Sequence, residues 1–542
     1  MTESNKKVLI GNEAIVKAAL VSGVSFVSGY PGCPSAEIGD EFGRIARENN
    51  VYAEWSTNEK VALEAAIGAS FSGLRSLVNM KSFGINVCAD ALLPLAYTGT
   101  KAGMVIVVAD DPSCWSSAQS EQNSRGYAFL SHIPVLEPSD PQECYDFTKL
   151  GFEISEQFNI PVILRTTTRV AHQRSIVSFE GYEKREFKGE FVKNQHQFVT
   201  MPPRVMEMKA ELLEKIEKIK KIAGNSKVTK IVGNKNSKIG IIVSGGPYSQ
   251  TMEALTVLGL DLSVLKLGFF YPLPEEKIKN YIKGLKKVLI VEELEGYIEK
   301  EVTALAKDIN PRLEIFGKNL LPEIGELDTE KIAVALAKIK GKKFVSYKIP
   351  NLNLPKRTAR LCEGCPYWHV FPVLKRIAPD AIFGGDIGCN MIASIFPHNL
   401  DDYMFCMGAG LGISHGVKKS TNQKVISMMG DGTFFHSGIP ALVNAVYNKS
   451  NPLVIVLDNR ITAMTGHQPN PGMGKTLMKD NVEELSIEEI AKACGVKNIK
   501  VLDPINVQEF EGAVKEFLGK EEISLIICKR ICALLAKRQK NG

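Results

Sequence analysis

The chain has 542 residues, of which 44% are hydrophobic and 23% are charged, a composition typical of a globular protein with several domains. Lysine and arginine exceed aspartate and glutamate by only six, so the charge gives no reason to expect a nucleic acid or a membrane surface as a partner. The opening MTESNKK does not resemble a secretion signal, and no apolar run is long enough to span a bilayer. We therefore expect a cytoplasmic protein, whose eleven cysteines favour metal chemistry over disulfides.

Residues 1–175 alternate short apolar segments with helical ones. The pattern predicts strands at Val24–Ser28, Ser76–Met80 and Met104–Val108, and a helix at Val61–Ser70. Such alternation is typical of a parallel sheet that is covered by helices on both faces. The first block is therefore predicted to have an α/β fold with a doubly wound sheet.

Three further segments follow along the chain. Residues 176–235 are polar and predict a linker with one charged helix, in which apolar residues recur at spacings of three and four and Gly224 is suited to the C-cap. A second α/β block, 236–345, contains the strands IGIIVS and KVLIVEE, and a third block covers 356–542. The sequence thus predicts three α/β blocks and one linker.

A candidate site lies in the third block at MMGDGTFFHSG. The segment KVISMM predicts a strand, and the start of a helix follows at once. One face of that helix is predicted to contain Ile439, Leu442, Val443 and Val446. Gly430-Asp431-Gly432 therefore occupies a strand-to-helix turn, at the edge where parallel sheets bind ligands and where helix N-termini favour phosphate.

The carboxylate of Asp431 has the wrong charge to bind a phosphate directly. A divalent cation such as Mg²⁺, bound by one or two carboxylates and by phosphate oxygens, would bridge the two. A second ligand is predicted at Asn459, one strand–helix–strand interval later, with the carbonyl of Ile461 as a third. The alternative is a tight turn at Gly-Asp-Gly and a turn residue at Asn459, without a ligand.

The Gly-Asp-Gly and Asn pair resembles the thiamine diphosphate signature. The longer motifs GYPGCPSAEI, EWSTNEKVALEAAIGAS, DDPSCWSSAQSEQNSR and TAMTGHQPNPG resemble the α subunits of the indolepyruvate:ferredoxin oxidoreductases, within the 2-oxoacid:ferredoxin oxidoreductase family. The resemblance implies a thiamine diphosphate-binding fold. Its pyrimidine-binding domain would be 1–175 and its diphosphate-binding domain 356–542, with a transketolase-C-like domain at 236–345 between them.

The resemblance also implies roles for individual residues. Asp431, Asn459 and the Ile461 carbonyl would bind Mg²⁺, which holds the cofactor diphosphate. The cofactor-binding residues would be Gly430, Asp431, Gly432, Thr433 and Asn459, with Cys33, His436 and His467 as further candidates near cofactor or substrate.

Thiamine enzymes need a carboxylate that hydrogen-bonds the aminopyrimidine, and the matching residue here is Glu59. The alternative is a capping box in Ser56-Thr57-Asn58-Glu59, in which Glu59 would hold the backbone N–H of Ser56. Glu64, one turn further along the helix, is the second candidate for the catalytic carboxylate.

The redox members of this family need an iron–sulfur cluster with four thiolates. LCEGCPYW provides Cys362 and Cys365, and GGDIGCN provides Cys389. The resemblance implies a [4Fe–4S] cluster with Cys532 as the fourth ligand and Cys528 as a near alternative. A CxxC pair by itself is equally consistent with zinc or a redox dithiol.

Three features depart from the family pattern. Cys33 replaces a threonine in the YPGTPS loop, and CEGCPYW replaces CPGCPH, which places Tyr367 and Trp368 beside the cysteines. The sequence also contains no CxxCxxCxxxC run of the C-terminal ferredoxin-like domain that is usual in these subunits. We therefore expect electrons to pass to another subunit or to an external acceptor.

The resulting hypothesis is oxidative decarboxylation of an aryl-type 2-oxoacid, such as indolepyruvate or phenylpyruvate, to the acyl-CoA. The partners would be a smaller β subunit, ferredoxin or another electron-transfer subunit, and coenzyme A, in a hetero-oligomer that contains an α dimer. Two alternatives stay open: a non-oxidative thiamine-dependent decarboxylase or carboligase, and a non-catalytic scaffold subunit of a larger complex.

Overall fold

A computed structural model describes residues 5–182, 188–344 and 358–541. The chain divides into two compact units, unit 1 (Met1–Pro350) and unit 2 (Asn351–Gly542). The boundary predicted between the second and third blocks, at about residues 345–356, lies outside the described residues. Within the described residues, no helix is both long and apolar enough to cross a membrane.

The described part of unit 1 is built from alternating strands and helices. The strands are β1 (Asn5–Ile10), β2 (Phe26–Gly29), β3 (Tyr52–Trp55), β4 (Ser76–Lys81), β5 (Met104–Asp110), β6 (Val135–Leu136), β7 (Val162–Thr167), β8 (Arg174–Phe179), β9 (Lys230–Gly233), β10 (Ile239–Ser244), β11 (Ser263–Leu267), β12 (Phe269–Tyr271), β13 (Lys287–Val291) and β14 (Glu314–Phe316). The helices are α1 (Gly11–Val21), α2 (Ala36–Ile45), α3 (Glu59–Phe71), α4 (Ser82–Thr98), α5 (Gly126–Ser131), α6 (Pro141–Phe158), α7 (Thr168–His172), α8 (Gln195–Phe198), α9 (Arg204–Asn225), α10 (Pro247–Val257), α11 (Glu275–Ile282), α12 (Tyr297–Ile309) and α13 (Thr329–Ile339).

The main sheet of unit 1 has the strand order β12-β6-β7-β5-β4-β2-β3, and its pairs are parallel except β12 against β6. This is the parallel sheet that the alternating pattern predicts. A second sheet, β14-β13-β10-β11-β9, is parallel except for β9, and β1 pairs with β8 antiparallel. Because β12 comes from the second predicted block, the first two blocks share one sheet.

A buried network of ion pairs also joins these two blocks. The guanidinium of Arg125 binds both carboxylate oxygens of Glu137, at 2.7 and 2.6 Å, and one oxygen of Glu292 at 2.9 Å. Arg165 binds Glu137 at 2.9 Å and Asp110 at 2.7 Å. Buried charges are tolerated when they are paired and hydrogen-bonded. The network therefore fixes the ends of β5 and β13 against each other.

The charged helix of the predicted linker is α9. Its packed face contains the buried side chains of Met208, Leu212, Ile216 and Ile219, as the spacing predicts. The predicted C-cap at Gly224 is wrong, because the helix continues to Asn225 and ends at Ser226, whose extended backbone stops it.

The described part of unit 2 contains one five-stranded sheet. Its strands are β15 (Ile382–Gly384), β16 (Val425–Gly430), β17 (Leu453–Asp458), β18 (Asn498–Leu502) and β19 (Ser524–Lys529). Its helices are α14 (Phe371–Ile377), α15 (Ala409–Ser420), α16 (Asp431–Thr433), α17 (Ile439–Tyr447), α18 (Ile487–Ala493), α19 (Val507–Phe517) and α20 (Ala533–Asn541). The strand order is β15-β16-β17-β19-β18 and every pair is parallel. The central strands are buried on both faces, which explains their continuous apolar sequences.

The helix after Gly-Asp-Gly differs in one respect from the prediction. Leu442 and Ala445 form the buried face of α17, whereas Val443 is 47% exposed. A π-helical turn at Phe434–Gly438 precedes α17. The core beside α17 contacts the face of Leu442 and Ala445, with Ile439 and Val446 partly buried against it, and Val443 lies on the solvent side of that face. The predicted face was therefore wrong at Val443.

Candidate functional site

Four candidate residues follow the ends of four neighbouring strands in unit 2. Cys389 follows β15, Asp431 follows β16, Asn459 follows β17 and Cys532 follows β19. Because all these strands are parallel, their carboxyl ends meet at the same edge of the sheet. The topology thus gathers residues that are spread over 143 positions of sequence.

Asp431 is buried at this edge. Its backbone begins the turn after Gly430, and Gly432 and Thr433 complete the short helix α16. One carboxylate oxygen accepts a hydrogen bond of 2.9 Å from the amide of Asn470. Burial raises the pKa of Asp431 to about 7, and the neighbouring Asp458 adds to the rise. A bound cation would favour the charged form of such a carboxylate.

Asn459 is buried beside Asp431, at the tip of the adjacent strand. Its side-chain oxygen accepts from the backbone N–H of Ile461 at 3.1 Å, and its backbone oxygen accepts from the N–H of Cys532 at 3.0 Å. The predicted ligands Asp431 and Asn459 therefore come from paired strands, with Ile461 two residues further along.

Two buried polar residues that the sequence analysis missed lie at the same edge, in the loop after β15. The carboxylate of Asp386 accepts from the N–H of Gly408 at 2.9 Å and is hydrogen-bonded by Thr433, but its second oxygen has no partner among the described residues. Both polar side-chain atoms of Asn390 are buried and equally without a described partner, and its nitrogen lies 3.9 Å from the position of a Cβ at Gly430. Unpaired buried polar groups of this kind suit a polar ligand.

The four cysteines of the predicted cluster influence one another. Burial, together with smaller contributions from the thiols of Cys365, Cys532 and Cys362, raises the pKa of Cys389 to about 12. Burial likewise raises the pKa of Cys365 to about 11, with contributions from Cys362 and Cys532. Cys362 is exposed and the other three are partly buried. Cys365 and Cys389 therefore each lie within electrostatic range of Cys362 and Cys532.

In contrast, Cys528 belongs to the hydrophobic core of unit 2. It lies on β19 opposite Leu457 and Leu502, and burial raises the pKa of its thiol without a contribution from another cysteine. In residues 5–182, 188–344 and 358–541, no three His, Cys, Asp or Glu side chains are grouped so as to hold a metal ion. Ligands of a cluster bind different irons, so they stand farther apart than ligands of one ion.

The two candidate histidines occupy different surroundings. His436 is buried in the turn after Asp431, where its Nδ1 hydrogen-bonds the hydroxyl of Ser437. The Nε2 of His467 lies 3.7 Å from the sulfur of Cys532. Burial, with a contribution from Arg538, lowers the pKa of His467. His467 is therefore mainly neutral at pH 7.

In unit 1, Glu59 is the first residue of α3 and is buried. The N-cap is Asn58, whose side chain accepts from the N–H of Val61 at 2.9 Å. The capping-box alternative is wrong, because the N–H of Ser56 donates to Gly29 instead. The Glu59 side chain lies over Gly84, where a Cβ would be 2.6 Å from its Cγ.

The surroundings of Glu64 are unlike those of Glu59. Its carboxylate is about half exposed and lies 3.7 Å from the ammonium of Lys60, one turn earlier on α3. The structure thus separates a buried carboxylate at the helix start from an exposed one along the helix. Only the former lies at the carboxyl edge of the parallel sheet.

Lys81, which the sequence analysis missed, lies at this edge together with Cys33. It ends β4, and its ammonium donates to the carbonyl of Ser116 at 2.7 Å. Burial lowers the pKa of Lys81, while Asp111 and Cys33 oppose that shift. Burial also raises the pKa of Cys33, so its thiol is neutral at pH 7. In the sequence, the one feature that could have indicated Lys81 was its position as a charged residue at the end of a mainly apolar strand.

Three known families match successive parts of this sequence. Residues 17–230 match the thiamine diphosphate-binding domain of pyruvate flavodoxin/ferredoxin oxidoreductases. Residues 229–352 match the indolepyruvate oxidoreductase domain, and residues 386–528 match the C-terminal TPP-binding domain of thiamine pyrophosphate enzymes.

Relatives match along nearly the whole chain. Indolepyruvate oxidoreductase subunit IorA of Methanothermobacter marburgensis is 42% identical, over 97% of this chain and 87% of that protein. The chain belongs to the IorA family. The subunit of the same name from Pyrococcus horikoshii is 41% identical, over 98% of this chain and 86% of that protein. This membership confirms the predicted family, its thiamine diphosphate-binding fold and the enzyme class of 2-oxoacid:ferredoxin oxidoreductases.

More distant similarities cover part of the chain. The 2-oxoglutarate synthase subunit KorA of Archaeoglobus fulgidus is 25% identical over 58% of this chain and 95% of that protein. Among solved structures, 2-oxoglutarate:ferredoxin oxidoreductase from Magnetococcus marinus is 16% identical, with a TM-score of 0.49 over 61% of this chain and 65% of that chain.

Proposed function

We propose that this IorA-family protein oxidatively decarboxylates an aryl-type 2-oxoacid, of the indolepyruvate or phenylpyruvate class. The 2-oxoacid anion and coenzyme A would give the acyl-CoA, CO₂, one proton and two electrons, and the electrons pass to ferredoxin or to a partner subunit. The carboxyl edge of the unit 2 sheet carries the proposal, since it brings Cys389, Asp431, Asn459 and Cys532 to four neighbouring strand ends. The name of the relatives, indolepyruvate oxidoreductase, supports the aryl substrate.

Asp431, Asn459 and the carbonyl of Ile461 would hold Mg²⁺. Oxygen donors of this kind suit that ion, which keeps its remaining positions for phosphate oxygens and water. The buried carboxamide of Asn390, whose polar atoms have no hydrogen-bond partner among the described residues, supports a diphosphate site at the same edge. Gly430, Gly432 and Thr433 form the turn that would lie against the diphosphate.

For the domains we propose the roles that the sequence predicts. Residues 1–175 would bind the pyrimidine, 236–345 would be the transketolase-C-like domain after the linker at 176–235, and 356–542 would bind the diphosphate. When bound, thiamine diphosphate supplies the nucleophilic carbon and the electron sink for decarboxylation. Glu59 would accept the hydrogen bond of the aminopyrimidine, because its carboxylate is held in a buried position at the start of α3.

The substrate carboxylate would bind Lys81. The partly buried ammonium lies at the carboxyl edge of the unit 1 sheet, close to Cys33 and Asp111. A charge-assisted hydrogen bond of this kind contributes about 1.5–3 kcal/mol. Cys33, His436 and His467 stay predicted contacts of cofactor or substrate.

Cys362, Cys365, Cys389 and Cys532 would hold a [4Fe–4S] cluster, whose chemistry is one-electron transfer. Their mutual influence on pKa supports this assignment over the alternative with Cys528. A smaller β subunit would complete the enzyme, in a hetero-oligomer with an α dimer.

The first test is anaerobic purification followed by iron and sulfide analysis and by EPR after dithionite reduction. We expect about four irons per chain. A dye-reduction assay then compares indolepyruvate, phenylpyruvate, pyruvate and 2-oxoglutarate with and without coenzyme A, and reduction should require coenzyme A and favour the aryl substrates. Protein without iron, with an aldehyde or acyloin as product, would instead identify a non-oxidative thiamine enzyme.

The second test compares two carboxylates on one helix. Glu59→Gln should abolish dye reduction while iron content stays unchanged, because the aminopyrimidine loses its partner. Glu64→Gln is the matched control and should retain activity, since that carboxylate is exposed. Full activity of the Glu59→Gln complex would indicate a scaffold subunit.

A further inference from the structure

A cavity of about 240 Å³ lies in unit 1 at the amino edge of the main sheet. Its walls come from the end of α4 and the loop that follows, from the turn after α6, and from α8 and the first half of α9. Because α4 and α6 precede the parallel strands β5 and β7, their C-terminal ends lie at the amino edge. Glu59 and Lys81 lie at the opposite, carboxyl edge, so this amino-edge cavity is separate from the proposed catalytic residues of unit 1.

Positive charge dominates the walls of the amino-edge cavity. The charged side chains among the described residues that line it are Lys101, Arg204, Lys215 and Glu211. The guanidinium of Arg204 binds both carboxylate oxygens of Glu211, at 2.6 and 2.9 Å, so these two charges compensate each other. Arg204 also donates to Glu207 at 3.1 Å and to the carbonyl of His196 at 3.0 Å. Four of its five donors are thus occupied, which leaves the ammonium groups of the two lysines for a ligand.

The ammonium of Lys215 is partly buried and has one hydrogen bond, to the carbonyl of Asn159 at 3.2 Å. Among the described residues it has no second acceptor, and burial lowers its pKa. The ammonium of Lys101 lies on a more exposed side of the cavity and likewise has no hydrogen bond or ion pair within the described part of the chain. A partly desolvated cation is costly unless an opposite charge or further acceptors surround it. These two lysines therefore lack the acceptors that a bound anion would supply.

The donors that remain indicate the type of anion. A planar carboxylate is best bound by the fork of an arginine, but the fork of Arg204 is already occupied by Glu211. Two ammonium groups act as point charges, which suits the tetrahedral oxygens of a phosphate. The volume is below the roughly 300–1,000 Å³ of pockets for drug-sized ligands, which favours a small anion over a large cofactor.

We propose that the amino-edge cavity binds a small phosphate-bearing anion, either inorganic phosphate or a phosphate monoester, through Lys215 and Lys101. The inference goes beyond the proposed function and does not depend on it. The anion would contact α9, in the segment between the first two predicted blocks, and also the loop after α4. Its binding should therefore stabilise α9 against the first block.

The test is calorimetric titration of the full-length protein with inorganic phosphate at constant ionic strength. The protein is saturated beforehand with thiamine diphosphate and Mg²⁺, so that phosphate does not enter the proposed diphosphate site of unit 2. We expect one saturable site. Lys215→Gln should weaken phosphate binding about tenfold or more, because a charge-assisted hydrogen bond is lost. Lys101→Gln should weaken it less, since that ammonium is more exposed.

Lys218→Gln is the matched control. Lys218 lies on the same helix, is exposed, and forms an ion pair with Glu214 at 2.7 Å outside the cavity. Phosphate affinity should not change in this variant. Equal losses in Lys215→Gln and Lys218→Gln would overturn the proposal, since they would reflect general attraction of anions to the helix. Wild-type protein without saturable phosphate binding would also overturn it, while iron content and dye reduction would still support the proposed function.

Hydrogen–deuterium exchange locates the bound anion independently of its affinity. Phosphate should slow exchange in peptides that cover residues 97–101 and 204–215 of the wild type, and should not do so in Lys215→Gln. Slower exchange confined to other regions would overturn the assignment of the cavity.

Titrations with two further anions identify the chemistry of the ligand. Glycerol 3-phosphate that binds more tightly than inorganic phosphate would support a phosphate monoester as the ligand, and the opposite order would support inorganic phosphate. Malonate is a dianion with planar carboxylates. If it bound as tightly as both phosphates and lost affinity equally in Lys215→Gln, the assignment of a phosphate-bearing ligand would be overturned.

Discussion

Substitution of two buried glutamates of unit 1, Glu137 and Glu293, should change the stability of that unit in opposite directions. Glu137 accepts three hydrogen bonds from Arg125 and Arg165 and a fourth from Ser244 at 2.6 Å. The two guanidinium groups hold the pKa of Glu137 at about 2, against an ordinary value of 4.5, although burial opposes them. This lowered pKa corresponds to roughly 3 kcal/mol of stability, which is present above pH 4.5 and lost as the pH falls towards 2.

The second carboxylate, Glu293, has the opposite environment. Burial raises its pKa to about 7, and the N–H of Leu327, which donates at 3.1 Å, only partly opposes the shift. A raised pKa contributes stability below pH 4.5 that is lost as the pH rises through 7. At pH 8 the charged form of Glu293 therefore costs roughly 3 kcal/mol relative to its neutral form.

Hydrogen–deuterium exchange with mass spectrometry measures these effects locally, in the peptides that cover β5, β7 and β13. At pH 8, Glu137→Gln should destabilise these strands by about 3–5 kcal/mol, because it leaves two buried guanidinium groups without their partner. Exchange should therefore accelerate by roughly two to four powers of ten. Glu293→Gln should slow exchange at pH 8 and have little effect at pH 5, since its oxygen can still accept from Leu327.

Glu180→Gln is the control for this experiment. Glu180 forms an exposed ion pair with Lys149 at 2.9 Å, and such pairs contribute little. Exchange rates in Glu137→Gln within threefold of this control would refute the assigned role of the network. If both Glu137→Gln and Glu293→Gln accelerated exchange at pH 8, or both slowed it, the opposite contributions assigned to the two carboxylates would be refuted.

Two further predictions concern the site. Cys532→Ser should lose cluster iron in anaerobic analysis, because Cys532 lies near the other thiols. Cys528→Ser should retain the iron, because Cys528 lies in the hydrophobic core. The reverse pattern would contradict the choice of Cys532 as the fourth ligand. Lys81→Gln should raise KM for the 2-oxoacid by about tenfold or more, with a smaller effect on kcat, because a charge-assisted hydrogen bond is lost. Lys60→Gln, which removes an exposed ammonium, should leave KM unchanged, and an equal rise in both variants would exclude a specific role for Lys81.

The sequence predicted the parts of the site that follow from strand periodicity. Asp431 and Asn459 each end an apolar run, and one helix fits between them, so their placement on paired strands could be derived from spacing. The family resemblance added the cysteines and Glu59. The parallel sheets and their helices could likewise be predicted from the alternation of apolar segments.

Other features depend on contacts between distant segments, which periodicity does not reveal. Glu137 pairs with arginines 12 residues before and 28 residues after it, and Arg125 reaches Glu292 across 167 residues. No local pattern marks such partners. The same applies to β12, a three-residue strand whose sequence neighbours belong to one sheet while its hydrogen bonds belong to another.

The strand order of unit 2 determines the order in which thiol, carboxylate and amide groups lie along the edge of its sheet. Across the unit 2 sheet, the strand ends carry in turn a thiol at Cys389, a carboxylate at Asp431, an amide at Asn459 and a thiol at Cys532. The proposed oxygen donors of a hard cation are therefore central, and thiols flank them on both sides. Tyr367 lies within electrostatic range of Asp431 and Cys389, and its hydroxyl donates to the carbonyl of Leu457 at 3.2 Å. A change that shifts one strand end should thus affect the proposed cation site and the proposed cluster together.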